Sequence, residues 1–167
     1  FYVKEETHQY DLGWTQKEPT RKAAYAELVR SLFNVTPRIV ESDEHAGGVL
    51  VGCRALVTWL KDVVGLKGGA LNKAIPDCIL ASTRETQIGC LRGLWETDGT
   101  IRAGDGSNWA MFATCSETLA RQVHTLLLAF GVVASLKKCP SDFEVRVYGQ
   151  NVNRLIELVP SLAERFT

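Results

Sequence analysis

Two acids near the end of one predicted helix are the residues of this sequence most suited to chemistry. Glu96 and Asp98 stand in the last turn of a helix that ends at about Asp98, with Gly99 as its stop signal. The helix dipole disfavours each negative charge there by roughly 0.3 to 1 kcal/mol. Two such helices could deliver carboxylates to a shared point, where a cation must separate them, and hard oxygen ligands suit Mg2+. The pattern favours a metal ligand at Asp98, whereas Glu96 lies on another face and is expected to be a surface acid or helix-end contact.

The same helix carries a face of small side chains. Gly89, Gly93 and Thr97 are spaced by four residues, so they share one side of the helix. A glycine inside a helix costs about 1 kcal/mol relative to alanine, and a small face lets a second helix approach closely. The sequence therefore predicts that this helix packs against a twin.

The overall charge gives no preference for nucleic acid. The 167 residues hold 19 Lys and Arg against 19 Asp and Glu, so any DNA contact must come from local clustering. In the predicted strand 143–148, valines alternate with Arg146 and Tyr148, which indicates one helix-covered face and one outward face. A solvated polar face is the alternative. The predicted DNA-binding residues on or near the outward face are Arg102, Lys137, Lys138, Arg146 and Tyr148.

Hydrophobic periodicity predicts an α+β protein with two similar halves. The first half is expected to hold a strand over 1–6, a polar loop over 7–19, a helix that buries Leu28 and Leu32, a strand pair over 38–42 and 48–52, and a helix in which Trp59 packs. The second is expected to hold a helix to residue 98, a turn at 104–106, a strand over 109–115, a helix, a strand pair over 132–138 and 143–148, and a last helix. Leu32–Val35 matches Ala129–Val132 at an offset of 97 residues, which indicates an internal repeat.

Three segments follow from this repeat. They are a first, N-terminally incomplete repeat over 1–66, a linker over 67–82 that is rich in glycine, and a second, complete repeat over 83–167. The second repeat begins with the helix that ends at Asp98, whereas the first repeat starts directly at a strand. We expect either that an equivalent helix once preceded Phe1 or that the chain does without it.

The helix that ends at Asp98 also carries a family resemblance. Leu91–Gly99 resembles the motif of the LAGLIDADG homing endonucleases. It matches at Leu91, Gly93, Leu94, Asp98 and Gly99 and departs at Arg92, Trp95, Glu96 and Thr97. Two further segments are similar to the intein-borne members, the Lys-x-Ile-Pro segment Lys73–Pro76 and the helix from Ser116 to Gly131. The first motif of the family is absent from this chain, and so are the motifs of a splicing domain.

The resemblance implies the LAGLIDADG homing-endonuclease fold, a pseudo-twofold αββαββα repeat whose first copy lacks its N-terminal helix. It further implies Mg2+-dependent cleavage of double-stranded DNA. Asp98 is then catalytic and a metal ligand, Gly99 offers its carbonyl to the metal, and Lys73 acts near the scissile phosphate. With one acidic motif, the isolated chain is expected to be impaired or inactive.

The partners implied are double-stranded DNA, the missing N-terminal motif helix or a second copy, and an intein splicing domain. No apolar run reaches the roughly 20 residues of a membrane span, so we expect no membrane partner and a cytoplasmic protein. Two alternatives remain, a degenerate LAGLIDADG-like module that only binds DNA and a structural remnant that supports the splicing halves of an intein.

Overall fold

The computed structural model describes residues 2–4, 11–15, 17–41, 47–102 and 108–165. The strands are β1 (Tyr2–Lys4), β2 (Asp11–Thr15), β3 (Arg38–Val40), β4 (Gly48–Gly52), β5 (Gly99–Arg102), β6 (Trp109–Thr114), β7 (Ala134–Lys138) and β8 (Phe143–Tyr148). The helices are α1 (Pro19–Phe33), α2 (Arg54–Thr58), α3 (Asp77–Leu80), α4 (Arg84–Asp98), α5 (Glu117–Ala129) and α6 (Gln150–Leu158). A π-helical turn, Trp59–Val63, extends α2, and 3-10 turns cover Ala70–Asn72 and Pro160–Arg165. The predicted turn at 104–106 lies outside the described residues, and no described helix has the length and apolarity of a membrane span.

Contacts divide the chain into two compact units, Phe1–Gly69 and Ala70–Thr167. The first unit holds an antiparallel sheet of strand order β1-β2-β4-β3. Its core is small and joins the sheet to α1 and α2. The buried residues of this core are Leu12, Val29, Val51, Leu56 and Val57.

The second unit holds an antiparallel sheet of order β5-β6-β8-β7, with α4, α5 and α6 in contact with it. Its core is larger and fully excludes several bulky side chains. Trp95 of α4 packs on Phe112 of β6, with ring centroids 6.0 Å apart. Leu127 of α5 and Leu155 of α6 complete the centre of this core, which anchors α4 along one side.

The two sheets have the same strand order, which confirms the predicted α+β repeat. Their registers align the strands, because Trp14 lies opposite Val49 in the first sheet and Phe112 lies opposite Val145 in the second. The strand β2 therefore corresponds to β6, and the predicted loop over 7–19 was wrong at Asp11–Thr15. The strand β5 was not predicted, because it starts directly after α4 with no turn to mark it. Only two apolar residues, Leu12 and Trp14, signal β2, too few for a period of two to stand out.

The expected buried side of α1 was also wrong. Leu28 and Leu32 are 53% and 64% exposed, whereas Lys22, Ala26 and Val29 are buried. The Lys22 ammonium lies 2.5 Å from the Glu41 carboxylate, so its methylene stem packs inside while its charge is paired. Trp59, which was expected in a core, is 46% exposed and contacts the Phe33 ring.

Part of the expected linker 67–82 is structured. Residues 70–82 include a 3-10 turn and α3, and they belong to the second unit. Ile75 is 3% exposed in the core of that unit, with Ile79 and Leu80 packed against the same core. The Lys-x-Ile-Pro segment is therefore fixed to the unit that carries α4.

Candidate functional site

Helix α4 places Asp98 at the surface, and the rest of the helix is held by an N-terminal cap and by buried side chains. Thr83 caps its start by accepting a hydrogen bond from the Thr86 backbone N–H, and Leu91 and Trp95 are fully buried. Asp98 is the last residue of the helix and is exposed. In the first turn, hydrogen bonds from the backbone and from Thr83 lower the pKa of Glu85, as suits an acid at the positive end of the dipole. Asp98 occupies the opposite, unfavourable end, so helix stability alone does not explain its presence.

Gly99 ends α4 for a reason that the sequence did not reveal. Its φ of −83° is extended rather than left-handed, and the residue begins β5 at once. A Cβ on Gly99 would collide with the carbonyl oxygen and the indole ring of Trp95. Glycine is therefore required by close approach, which keeps Asp98 at the junction of a helix and a strand.

Glu96 has the structural role expected for it. The Ser161 hydroxyl donates a 2.6 Å hydrogen bond to its carboxylate, which fastens α4 to the turn Pro160–Arg165. The acid two positions from Asp98 is thus held against its own unit, and only Asp98 of the two is exposed.

The small face of α4 is open. Gly89, Gly93 and Thr97 are exposed, and a Cβ on either glycine would meet nothing within 4 Å. The Thr97 hydroxyl donates a 3.0 Å hydrogen bond to the Gly93 carbonyl, so its polar atom is satisfied within the helix. Packing of this face against a twin helix stays a prediction.

Lys73 is half-buried in a segment that the start of α5 holds in place. The Ser116 hydroxyl donates to the Lys73 carbonyl at 2.6 Å and accepts from the Leu119 N–H at 3.3 Å. The Gln122 side chain accepts from the Ile75 N–H at 2.7 Å and donates to the Ile75 carbonyl at 3.1 Å. We call these contacts of Ser116 and Gln122 the α5 clasp, and they fix the backbone that carries Lys73.

Loss of the α5 clasp should cost stability. We expect Ser116→Ala to lower the free energy of unfolding by about 2 kcal/mol, because it removes a helix cap and leaves the partly buried Lys73 carbonyl without its donor. Urea unfolding measures this change, and amide exchange at residues 73–75 should quicken. The matched control is Thr83→Ala, which removes an exposed cap and should cost less. Equal costs for the two variants would contradict a role for Ser116 beyond capping.

The outward face of the second sheet holds four of the five predicted DNA-binding residues, in rows across the strands. Paired residues of neighbouring strands share a face. One row is Arg102, Trp109 and Tyr148, the next is Thr100, Met111, Arg146 and Ser135, and the third is Ala113, Glu144 and Lys137. Tyr148 is 49% exposed, and Arg102 and Lys137 are exposed as well. Trp109 and Met111 were not singled out from the sequence, although the alternation of β6 contains the signal.

Lys138 does not share that face. It pairs with Phe143, so it has the parity of the buried Val145 and Val147. Its ammonium lies 5.9 Å from the centre of the Phe143 ring. Strand parity therefore separates Lys138 from Lys137.

Arg146 and Glu144 form an ion pair at the middle of the outward face. The Nε and one terminal nitrogen of Arg146 donate to the same Glu144 oxygen at 2.8 and 2.6 Å. Hydrogen bonds with Tyr148 and Glu144 raise the pKa of Arg146 further above its usual value. The Arg146 and Glu144 side chains are 35% and 15% exposed, respectively, so the ion pair is partly shielded from water.

One group of three possible metal ligands occurs within the described ranges. The thiol of Cys139 and the carboxylates of Asp142 and Glu144 have ligand atoms within 4.8 Å of one another. Burial and the neighbouring Glu144 carboxylate raise the pKa of the Cys139 thiol, and Glu144 is already paired with Arg146. Asp98 is not a member of this group.

Comparison with known proteins identifies the domain that α4 begins. A family model described as a LAGLIDADG-like domain matches residues 85–160, from the first turn of α4 to the end of α6. The chain contains a LAGLIDADG-like domain. The motif helix, the sheet face and the α5 clasp all lie in the second unit with this domain.

The relatives of the LAGLIDADG-like domain are segments of much longer proteins. The chain is 33% identical to the replicative DNA helicase DnaB of Rhodothermus marinus over 92% of its own length and 18% of the relative. It is 29% identical to the helicase Hel308 of Thermococcus kodakarensis over 77% of the chain and 12% of the relative. It is 24% identical to a glutamine–fructose-6-phosphate aminotransferase of Methanocaldococcus jannaschii over 68% of the chain and 10% of that protein. The chain thus spans less than a fifth of each of these relatives.

Solved structures confirm the fold. A mesophilic variant of the homing endonuclease I-DmoI superposes with a TM-score of 0.74 at 15% identity, over 96% of this chain and 87% of the other. I-DmoI has also been solved with DNA and Mn, and that structure gives a TM-score of 0.70 at 16% identity, over 95% and 86% of the two chains. The N-terminal LAGLIDADG domain of WhiA gives 0.59 at 10% identity, over 95% and 75%. The chain therefore has the LAGLIDADG homing-endonuclease fold.

Proposed function

We propose that this chain is the DNA-binding and half-catalytic part of an intein-type homing endonuclease. The proposal depends on the position of Asp98, an exposed acid at the C-terminal end of α4, where the helix dipole disfavours negative charge. The same unit contains a sheet whose outward face holds Arg102, Lys137 and Arg146. LAGLIDADG proteins are DNA endonucleases at the level of the family, and the I-DmoI structures hold target DNA with Mg or Mn. The chemistry proposed is hydrolysis of a phosphodiester in double-stranded DNA.

The residues at the end of α4 suit a hard divalent cation in part. Asp98 offers an exposed carboxylate, and Gly99 would add its backbone carbonyl, so both donors are oxygen. When bound, Mg2+ supplies a water of lowered pKa and stabilises charge on the leaving oxygen. Two donors are fewer than the cation requires, which makes this end of the helix half of a complete site.

Lys73 would supply a positive charge beside the scissile phosphate. The α5 clasp fixes its backbone through Ser116 and Gln122 in the unit that carries Asp98. A lysine whose backbone is held in this way can stabilise developing negative charge with little reorganisation.

The second carboxylate would come from a helix equivalent to α4. In the second unit, Leu155 and Val159 are fully buried in the core to which α4 contributes Leu91 and Trp95. The repeat places Trp59 and Val63 at the matching positions of the first unit, where they are 46% and 70% exposed. A missing N-terminal motif helix or the helix of a second copy would cover them and bring the second acid.

The relatives favour an inserted element as the setting of this domain. DnaB and Hel308 are DNA helicases and the third relative is an aminotransferase, yet each matches this chain over a small segment of its own length. A segment shared by such different hosts is explained more simply by a mobile intein than by a helicase function of this chain. An intein splicing domain is then its neighbour in the host protein.

The alternative function is DNA binding without catalysis. The likeness to the WhiA LAGLIDADG domain favours it. A structural remnant that binds nothing would leave the outward cations of the second sheet without a use.

Metal binding and cleavage together test the proposal. We expect Mn2+ to bind the chain weakly, measured by electron paramagnetic resonance, and Asp98→Asn to abolish that binding. The matched control Glu96→Gln should retain it, because Glu96 is bonded to Ser161. We also expect no efficient double-strand cleavage of a plasmid library by the isolated chain in Mg2+ or Mn2+, because half the carboxylates are missing.

Two results would contradict this scheme. Mn2+ binding that survives Asp98→Asn would remove Asp98 from the metal site. Efficient cleavage by the isolated chain that Asp98→Asn abolishes would show a complete site and refute the half-site proposal.

A further inference from the structure

The central position of Arg146 on the outward sheet face sets it apart from the other cations. β8 is an inner strand of the order β5-β6-β8-β7, whereas Arg102 lies on the edge strand β5 and Lys137 on the edge strand β7. Four strands spaced by about 4.8 Å span about 14 Å, close to the roughly 12 Å width of the DNA major groove. Edge cations would therefore face the two phosphate backbones, and a central residue would face the base edges.

Glu144 limits what Arg146 can contact. The Glu144 carboxylate takes two of the five guanidinium N–H groups. Three N–H groups remain, and the O6 and N7 atoms of guanine accept two. The ion pair is also neutral as a whole, so it attracts phosphate less than a lone arginine does.

Glu144 is itself held in place. Its carboxylate lies within 4.8 Å of the Cys139 sulfur, beside the turn between β7 and β8 that the Cys139 N–H closes by donating to the Asp142 carbonyl at 2.8 Å. At 15% exposure the carboxylate has little freedom to turn away. Arg146 is thus paired with a carboxylate that is mostly enclosed by the protein.

We infer that Arg146 is a specificity-determining residue that reads a guanine in the major groove, and that Glu144 is its positioning residue. This inference rests on the proposed function, because it requires that the sheet face binds duplex DNA. It divides the face into edge cations that give affinity and a central arginine that gives selectivity.

Selection from a randomised duplex pool tests the inference, with the intact chain and three variants. Wild type should enrich guanine at one position. Arg146→Lys keeps the charge but lacks the paired N–H donors of the guanidinium group. The enrichment of guanine should therefore fall roughly tenfold or more. Glu144→Gln keeps the shape but frees Arg146 for phosphate, so the guanine preference should fall while the salt slope on random duplex steepens by about one. The control Lys138→Ala should select like wild type.

The outcomes distinguish guanine recognition by Arg146 from duplex binding by the sheet face. If duplex binds but Glu144→Gln and Arg146→Lys select the same sequences as wild type, the inference is overturned and the proposed function stands. If wild type binds no duplex at low salt, the proposed function fails and the inference with it.

Discussion

Replacing Arg102 and Lys137 together by alanine is expected to flatten the salt dependence of duplex binding by about two units. Each cation that neutralises a phosphate contributes about 0.9 to the slope of log K against log salt on B-DNA. Both residues are exposed on the edge strands of the second sheet and share its outward face. Fluorescence anisotropy of a labelled random duplex between low and moderate salt measures the slope.

A neighbouring lysine supplies the control for this measurement. Lys138→Ala removes the same charge one residue from Lys137 but on the opposite side of the strand. We expect it to leave the slope nearly unchanged. A slope that falls equally in Lys137→Ala and Lys138→Ala would show that general charge, rather than the sheet face, holds DNA.

Glu41→Ala is expected to destabilise the first unit by about 2 to 3 kcal/mol, near the low end for breaking a buried ion pair. The variant leaves the Lys22 ammonium without its carboxylate, and the Lys22 side chain is only 3% exposed. Glu41 is 70% exposed, so the space it leaves admits water and limits the loss. Urea unfolding of the chain gives the change in free energy.

The partner substitution distinguishes the ion pair from simple packing. Lys22→Met keeps the buried stem without the charge, so it should be neutral or stabilising. The double variant Lys22→Met with Glu41→Ala should recover most of the loss. A double variant as unstable as Glu41→Ala would mean that Glu41 acts through contacts other than Lys22.

Strong local signals made α4 and the second half of the repeat predictable. Gly99 ends α4 as expected, and the valines of β8 separate the two faces of that strand. The prediction of which side of α1 is buried failed because Lys22 occupies a core position. Its ion pair with Glu41 makes this possible, and that partner is 19 residues away in the sequence. A hydrophobic pattern predicts that charged residues are exposed to solvent. It therefore cannot predict a buried cation whose partner is distant in sequence.

The candidate site was likewise predictable only where local periodicity determines the position of a residue. The sequence placed Asp98 at a helix end and Arg146 on an outward face, because both follow from local periodicity. Alternation along β7 already separates Lys138 from Lys137, although the prediction grouped the two lysines together. The sequence could not show that Glu144 pairs with Arg146, because alternation places both on one face of β8 without fixing their side-chain conformations.

The α5 clasp also constrains the order in which the second unit folds. Its hydrogen bonds join residues 43 and 47 positions apart, so the segment around Lys73 gains them only after a loop of that length has closed. The acceptor and donor groups of Ser116 and Gln122 take their positions once the first turns of α5 exist. We therefore expect the lysine segment to become protected after α5, so a protease acting during refolding should cut the segment before it cuts α5.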